Sequence, residues 1–176
     1  MRRIGTIIVL LLIAASASAQ KFGYVDTDYV LSKMPEFKQA QDELTTLSGG
    51  WQEEIKLMAV EIEDEYASLK AEEVLLTVEM KDQRMEEIHK KEAALKEYQD
   101  KIFGFEGLYF LKKQELIKPI QDKVFEAVEK VARENRLSII FDKAADLVMI
   151  YTDPRYDYTD FVLDELGLGD PNDVLK

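Results

Sequence analysis

Trp51-Gln52-Glu53-Glu54-Ile55-Lys56-Leu57-Met58-Ala59-Val60-Glu61-Ile62-Glu63-Asp64-Glu65-Tyr66 is helical in its spacing. Trp51, Ile55, Met58, Ile62 and Tyr66 fall four, three, four and four residues apart, with charged residues between them. Extended in both directions, the stripe takes in Leu44, Leu47 and Leu69 and repeats every eleven residues instead of every seven. An eleven-residue repeat slightly exceeds the pitch of a straight helix, so supercoiling is expected to be slight or right-handed. From Pro35 to about Val74 such a helix runs roughly 60 Å at 1.5 Å per residue.

Beyond it, Val74 to Met80 interrupts the charge pattern, and Thr77 can cap a returning helix. The tip is placed between Ala71 and Asp82. The returning stripe carries Met85, Ile88, Leu95, Tyr98 and Ile102, passes through Phe103 to Leu111, and continues at Leu116, Ile117, Ile120, Val124, Val128 and Val131 towards a stop near Asn135. Pro119 inside this pattern predicts a kink or local break. A helical stretch over 35–136, entered and left from short strand-like segments, must double back. The expected object is a long α-hairpin arm on a compact base, an α+β fold.

The base is read from residues 20–34 and 137–176. Lys21 to Thr27 alternates large apolar with small or polar residues and reads as a strand, followed by a short turn or helix at Tyr29, Val30 and Leu31. Pro35 and Glu36 suit the first turn of the outgoing helix. Leu137 to Phe141 and Leu147 to Tyr151 read as a β-hairpin, and Asp157 as the cap of a closing helix that Gly167 or Gly169 ends. Three short strands cannot shield both faces and both edges, so the base is expected to associate with further copies of itself.

The compartment follows from the first residues. A positive start at Arg2 and Arg3, an apolar run from Ile4 to Ala15, and Ala17-Ser18-Ala19 before Gln20 have the pattern of a cleavable signal peptide over residues 1–19. The chain has no cysteine, which excludes a disulfide framework and thiolate chemistry. Its net charge of −12 becomes −14 once Arg2 and Arg3 are removed, which argues against nucleic acid as a partner. Contact with a membrane surface is left open.

No reaction centre is visible. Gly104-Phe105-Glu106-Gly107 lacks the Lys-Ser/Thr of a phosphate loop. His89, the only histidine, cannot alone make a zinc site or a Ser-His-Asp arrangement. The runs Glu53-Glu54, Glu61 to Glu65 and Glu86-Glu87 read as solvated faces. No enzyme activity, cofactor or metal is expected.

Two regions are candidate working parts. Leu75, Leu76, Met80 and Met85, with Met58 and Val74, form either an ordinary hairpin seam or an adaptable apolar surface near the tip. Phe103 and Phe105 lie beside Gly104 and Gly107, which weaken the helix. If the tip is near Thr77, Gly49 and Gly50 lie opposite. The readings are an aromatic plug, or a joint at which both helices are weak.

The signal peptide, Lys21-Phe22-Gly23-Tyr24-Val25-Asp26-Thr27, the long charged arm, Leu137-Ser138-Ile139-Ile140-Phe141-Asp142, and the ending Tyr156 to Leu166 together resemble the OmpH/Skp family of periplasmic chaperones, in the same order over essentially the whole mature chain. The resemblance implies a homotrimer whose strands form a central β body, here with Phe22, Tyr24, Val25, Ile139, Phe141, Val148 and Ile150. It also implies helical arms that hold unfolded outer-membrane proteins without ATP. The alternative is a structural or adaptor coiled-coil protein of the cell envelope that binds one defined partner. One departure is plain: residues 51–100 hold fifteen acids and seven Lys or Arg, whereas the best-known members are basic, so no lipopolysaccharide-binding site is carried over.

Overall fold

A computed structural model describes residues 21–145 and 149–169. The signal segment, residues 1–19, and Val148 lie outside the described residues. The chain divides into two compact units, one of residues Pro35–Gln121 and one assembled from the segments before Pro35 and after Gln121.

The first unit is a helical hairpin. Helix α2, Pro35–Glu72, begins with the proline and acidic residue its first turn favours and ends with Lys70 in its last. The chain turns over residues 73–77, where the Leu75 N–H donates to the Glu72 carbonyl at 2.8 Å. Thr77 then caps α3, Val78–Phe103, its hydroxyl accepting from the Met80 N–H at 3.3 Å. Ile62, Leu69 and Ile88 are buried between α2 and α3, with Tyr66, Leu76 and Leu95 packed on them. The apolar stripe therefore forms the seam, and the charges face water.

Gly49 and Gly50 lie inside the unbroken α2. The interruption falls on the returning strand of the hairpin alone, between Phe103 and the start of α4, Leu108–Asn135. The expectation that both helices weaken at one level is corrected on this point. Helix α4 also runs on through Pro119, with no break there.

The second unit holds β1 (Phe22–Val25), α1 (Thr27–Lys33), the part of α4 from Asp122, β2 (Ile139–Asp142), a 3-10 turn (Pro154–Tyr156) and α5 (Thr159–Glu165). Strands β1 and β2 pair in parallel, from Phe22 opposite Ile139 to Val25 opposite Asp142. This corrects the expected hairpin of 137–141 with 147–151: β2 takes β1 as its partner, and residues 149–151 form no strand. Parallel neighbours need a long crossover, which the intervening helices supply. Asp142 is also drawn away from hairpin geometry, because its carboxylate accepts from the Thr27 N–H (3.2 Å), the Thr27 hydroxyl (2.7 Å) and the Ala144 N–H (3.0 Å).

Asp26 caps α1 by accepting from the Tyr29 N–H at 2.9 Å. At α5 the capping position belongs to Tyr158, not Asp157; the Asp157 carboxylate instead accepts from both the N–H and the hydroxyl of Thr159. Gly167 ends α5 in the left-handed region. Val25, Val30, Met34, Val131, Val162 and Leu163 are buried in this unit. So is Tyr24, whose carbonyl accepts from the Tyr158 N–H at 2.9 Å.

Of the residues assigned to assembly of the base, Tyr24 and Val25 are thus spent within the unit's own core. Phe22, Ile139 and Phe141 stay at least partly exposed, and Ile150 is almost fully so. Phe22 stacks on Tyr156 with ring centroids 5.0 Å apart.

Candidate binding surface of the helical hairpin

The tight turn at residues 73–77 cannot fold all its apolar side chains inward. Val74, Leu75 and Val78 are 91%, 80% and 70% exposed, and Met80 is about half so. Leu76 alone turns in, half-buried against Ile62, Leu69 and Ile88. Of the residues singled out near the tip, Leu75 and Met80 therefore stand on the surface and Leu76 belongs to the seam.

Next to the turn lies a cleft of about 390 Å³ lined by Tyr66, Ala67, Leu69, Lys70, Glu73, Lys81 and Met85. Lys81 reaches Glu73 at 3.6 Å and Arg84 reaches Glu72 at 2.9 Å, tying the first turns of α3 to the end of α2. Glu72 also accepts from the Ser68 hydroxyl at 2.8 Å.

Further along, polar groups clasp the two helices across the apolar seam. Lys91 of α3 lies between Glu61, at 2.5 Å, and Glu65 of α2, and these two carboxylates push its pKa up. The Tyr66 hydroxyl donates to Glu92 at 3.0 Å, and the other oxygen of that carboxylate meets His89 Nδ1 at 2.9 Å. Glu92 is held below the usual carboxylate range by His89 first and Tyr66 second, while Tyr66 is raised by the same bond. Tyr98 donates to Glu54 in the same manner.

A carboxyl whose folded pKa is depressed contributes stability that is present above its unfolded value. That contribution fades as pH falls through the folded value. The Glu92 clasp should therefore be intact at neutral pH and fail on the acid side, beginning near the ordinary glutamate pKa of about 4.3. Protonating the many exposed acids relieves repulsion and acts in the opposite sense, so the informative quantity is a difference. The urea midpoint of Glu92→Gln should drop less between neutral and acid pH than that of the native chain. Parallel pH dependences of the two would reject the clasp.

The second candidate region lies at the interruption. Gly104 ends α3, its N–H donating to the Asp100 carbonyl at 2.9 Å; Glu106 takes a left-handed φ of 53°; and the Gly107 N–H donates to the Gly104 carbonyl at 3.0 Å. Phe103 meets Trp51 edge-on with centroids 6.3 Å apart and Tyr109 at 5.9 Å. Phe105, by contrast, is 97% exposed. The structure thus joins Trp51 and Phe103 across the hairpin, as the facing relation predicts, but turns Phe105 out.

Sequence reasoning missed Val78, and also Leu57 and Val60, which are exposed on α2. The last two carry a readable signal: they fall off the seam stripe and lie three residues apart, on another face of the helix.

A family model described as outer membrane protein (OmpH-like) matches residues 21–166. No curated protein sequence matches the chain. Among solved structures, one from Caulobacter crescentus CB15, assigned as an outer membrane chaperone (OmpH-like), is similar over 92% of this chain and 90% of its own, with a TM-score of 0.65 and 15% identity. At that identity the likeness is one of fold.

Proposed function

The chain belongs to the OmpH-like outer membrane protein family, and from that membership we propose that it is a periplasmic holdase chaperone that needs no ATP and keeps unfolded outer-membrane β-barrel proteins from aggregating before insertion. The observation that carries this reading is the exposure of Val74, Leu75, Val78 and Met80 at the turn of a strongly acidic hairpin. Apolar side chains left in water on a highly charged carrier gain by covering a client's apolar segments, while the charge keeps the complex soluble.

Such contacts are individually weak, so holding requires several at once. We place their multiplicity in a homotrimer assembled through the strand-bearing unit, where Phe22, Ile139, Phe141 and Ile150 offer apolar surface that one chain leaves uncovered. Release needs no nucleotide, because the client's own folding removes the segments that were held.

The test is light scattering of a urea-unfolded outer-membrane barrel diluted with and without the mature protein, followed by sizing of any soluble complex. Suppressed scattering, with one client per three chains, supports the reading. A Leu75→Ser/Met80→Ser variant should keep full helicity and hold clients severalfold less tightly. Unimpeded aggregation of several barrels by a folded protein would overturn the proposal.

A further inference from the structure

The chain has no cysteine, so its sulfur chemistry belongs to methionine. Beyond Met1 the methionines are Met34, Met58, Met80, Met85 and Met149. Met34 is 2% exposed, and Met58 and Met149 are half-buried, whereas Met80 is 47% and Met85 36% exposed. The two thioethers most open to water therefore stand together near the start of α3.

Both also lie where that helix leaves the turn. Met80 shares the exposed apolar surface with Val74, Leu75 and Val78, and Met85 lines the wall of the neighbouring cleft beside Tyr66 and Leu69. A thioether there is apolar and adaptable, yet a small oxidant can reach it and no thiol competes for that oxidant.

We infer that Met80 and Met85 are oxidation sites of the hairpin, and that their conversion to sulfoxides by hydrogen peroxide weakens its hold on unfolded clients. This rests on the chaperone reading above and gives it a redox control. In the step, the sulfur lone pair attacks one peroxide oxygen, the O–O bond breaks and an S–O bond forms. The proton on the transferred oxygen passes to the departing one, which leaves as water; sulfur is oxidised by two electrons and the peroxide is reduced by two. The sulfoxide is polar and keeps water on its oxygen. A client's apolar segment offers no donor to replace that water, so covering the modified side chain carries a desolvation cost that the thioether does not. Met34, closed inside the other unit, is spared.

The experiment exposes the full mature protein to graded hydrogen peroxide, removes the oxidant, and reads sulfoxide at each methionine by peptide mass spectrometry. Binding of a fluorescently labelled, urea-unfolded outer-membrane barrel is then titrated by anisotropy, and circular dichroism follows helicity. Met80 and Met85 should be converted first and Met34 last. Affinity should fall on the order of tenfold as the first two are modified, with helicity kept. Treatment with the two stereospecific methionine sulfoxide reductases and dithiothreitol should restore it, which separates sulfoxide from irreversible damage.

Met80→Leu/Met85→Leu keeps the side chains apolar and of similar volume but removes the sulfur. Each protein is compared with its own untreated sample, and the variant's affinity should not move with peroxide. Conversion of Met34 as fast as Met80, an equal loss of affinity in the double variant, or unchanged binding after full modification of Met80 and Met85 would overturn the inference. If the untreated protein still protects barrels in that event, the chaperone reading survives alone; if the untreated protein lets barrels aggregate freely, both fall.

Discussion

Replacing Ile88 with alanine is expected to lower the stability of the helical hairpin by about 3 kcal/mol, within the range for truncating a large aliphatic side chain in a core. Ile88 is 2% exposed and packs with Ile62 and Leu69 where α2 meets α3. Two facing helices have few layers of apolar contact, and neighbouring side chains have little freedom to collapse into the space left. The loss should appear as an earlier urea midpoint in far-ultraviolet circular dichroism.

Leu57→Ala supplies the control. Leu57 is 59% exposed on the same pair of helices, so its truncation should change stability by less than about 0.5 kcal/mol. Equal effects at the two positions would mean that the α2–α3 seam does not hold the hairpin together.

Glycine substitutions on the two sides of the hairpin should act with opposite signs. A Cβ added at Gly107 would stand 2.6 Å from the Ile102 carbonyl oxygen and 3.0 Å from that of Gly104, and one at Gly104 would stand 2.2 Å from the Asp100 carbonyl oxygen. These are backbone atoms and cannot swing aside. Gly107→Val should therefore force the connection between α3 and α4 to rebuild, at a cost of about 2 kcal/mol or more.

At Gly49 and Gly50 an added Cβ meets nothing within 4 Å, in unbroken helix. Gly49→Ala and Gly50→Ala should each stabilise the protein by about 0.5–1 kcal/mol, the helix-propensity gain of alanine over glycine. Trp51, the only tryptophan, reports on the same level through its edge-on contact with Phe103. Its emission should shift in Gly107→Val and stay unchanged in the two alanine variants. If Gly107→Val leaves both stability and emission as they were, the interruption is not the tight turn described above.

If the interruption is also a joint about which the returning helix bends while a client is held, the flexibility resides in one helix only. The unbroken α2 would then carry the hairpin's stiffness.

The amino-acid sequence by itself determined what depends on residues close together in the chain. The spacing of Trp51, Ile55, Met58 and Ile62, the proline start at Pro35, the cap at Thr77 and the end near Asn135 are read from windows of a few residues, and the helices follow them. The ordered set of motifs likewise pointed to the family. What only the tertiary structure decided depends on partners far apart. Strand β2 lies beside β1, more than a hundred residues away, because Thr27 and Val25 offer hydrogen bonds to Asp142 and Lys143 that the residues after it would otherwise have to supply. Leu76 packs inward against Ile62, Leu69 and Ile88 while its neighbour Leu75 stands out in water, a choice that rests on residues distant in the chain. Gly104 and Gly107 break a helix while Gly49 and Gly50 do not, since a glycine permits a turn without requiring it. Neighbouring capping bonds and aromatic contacts, not the residue itself, settle whether the turn is made.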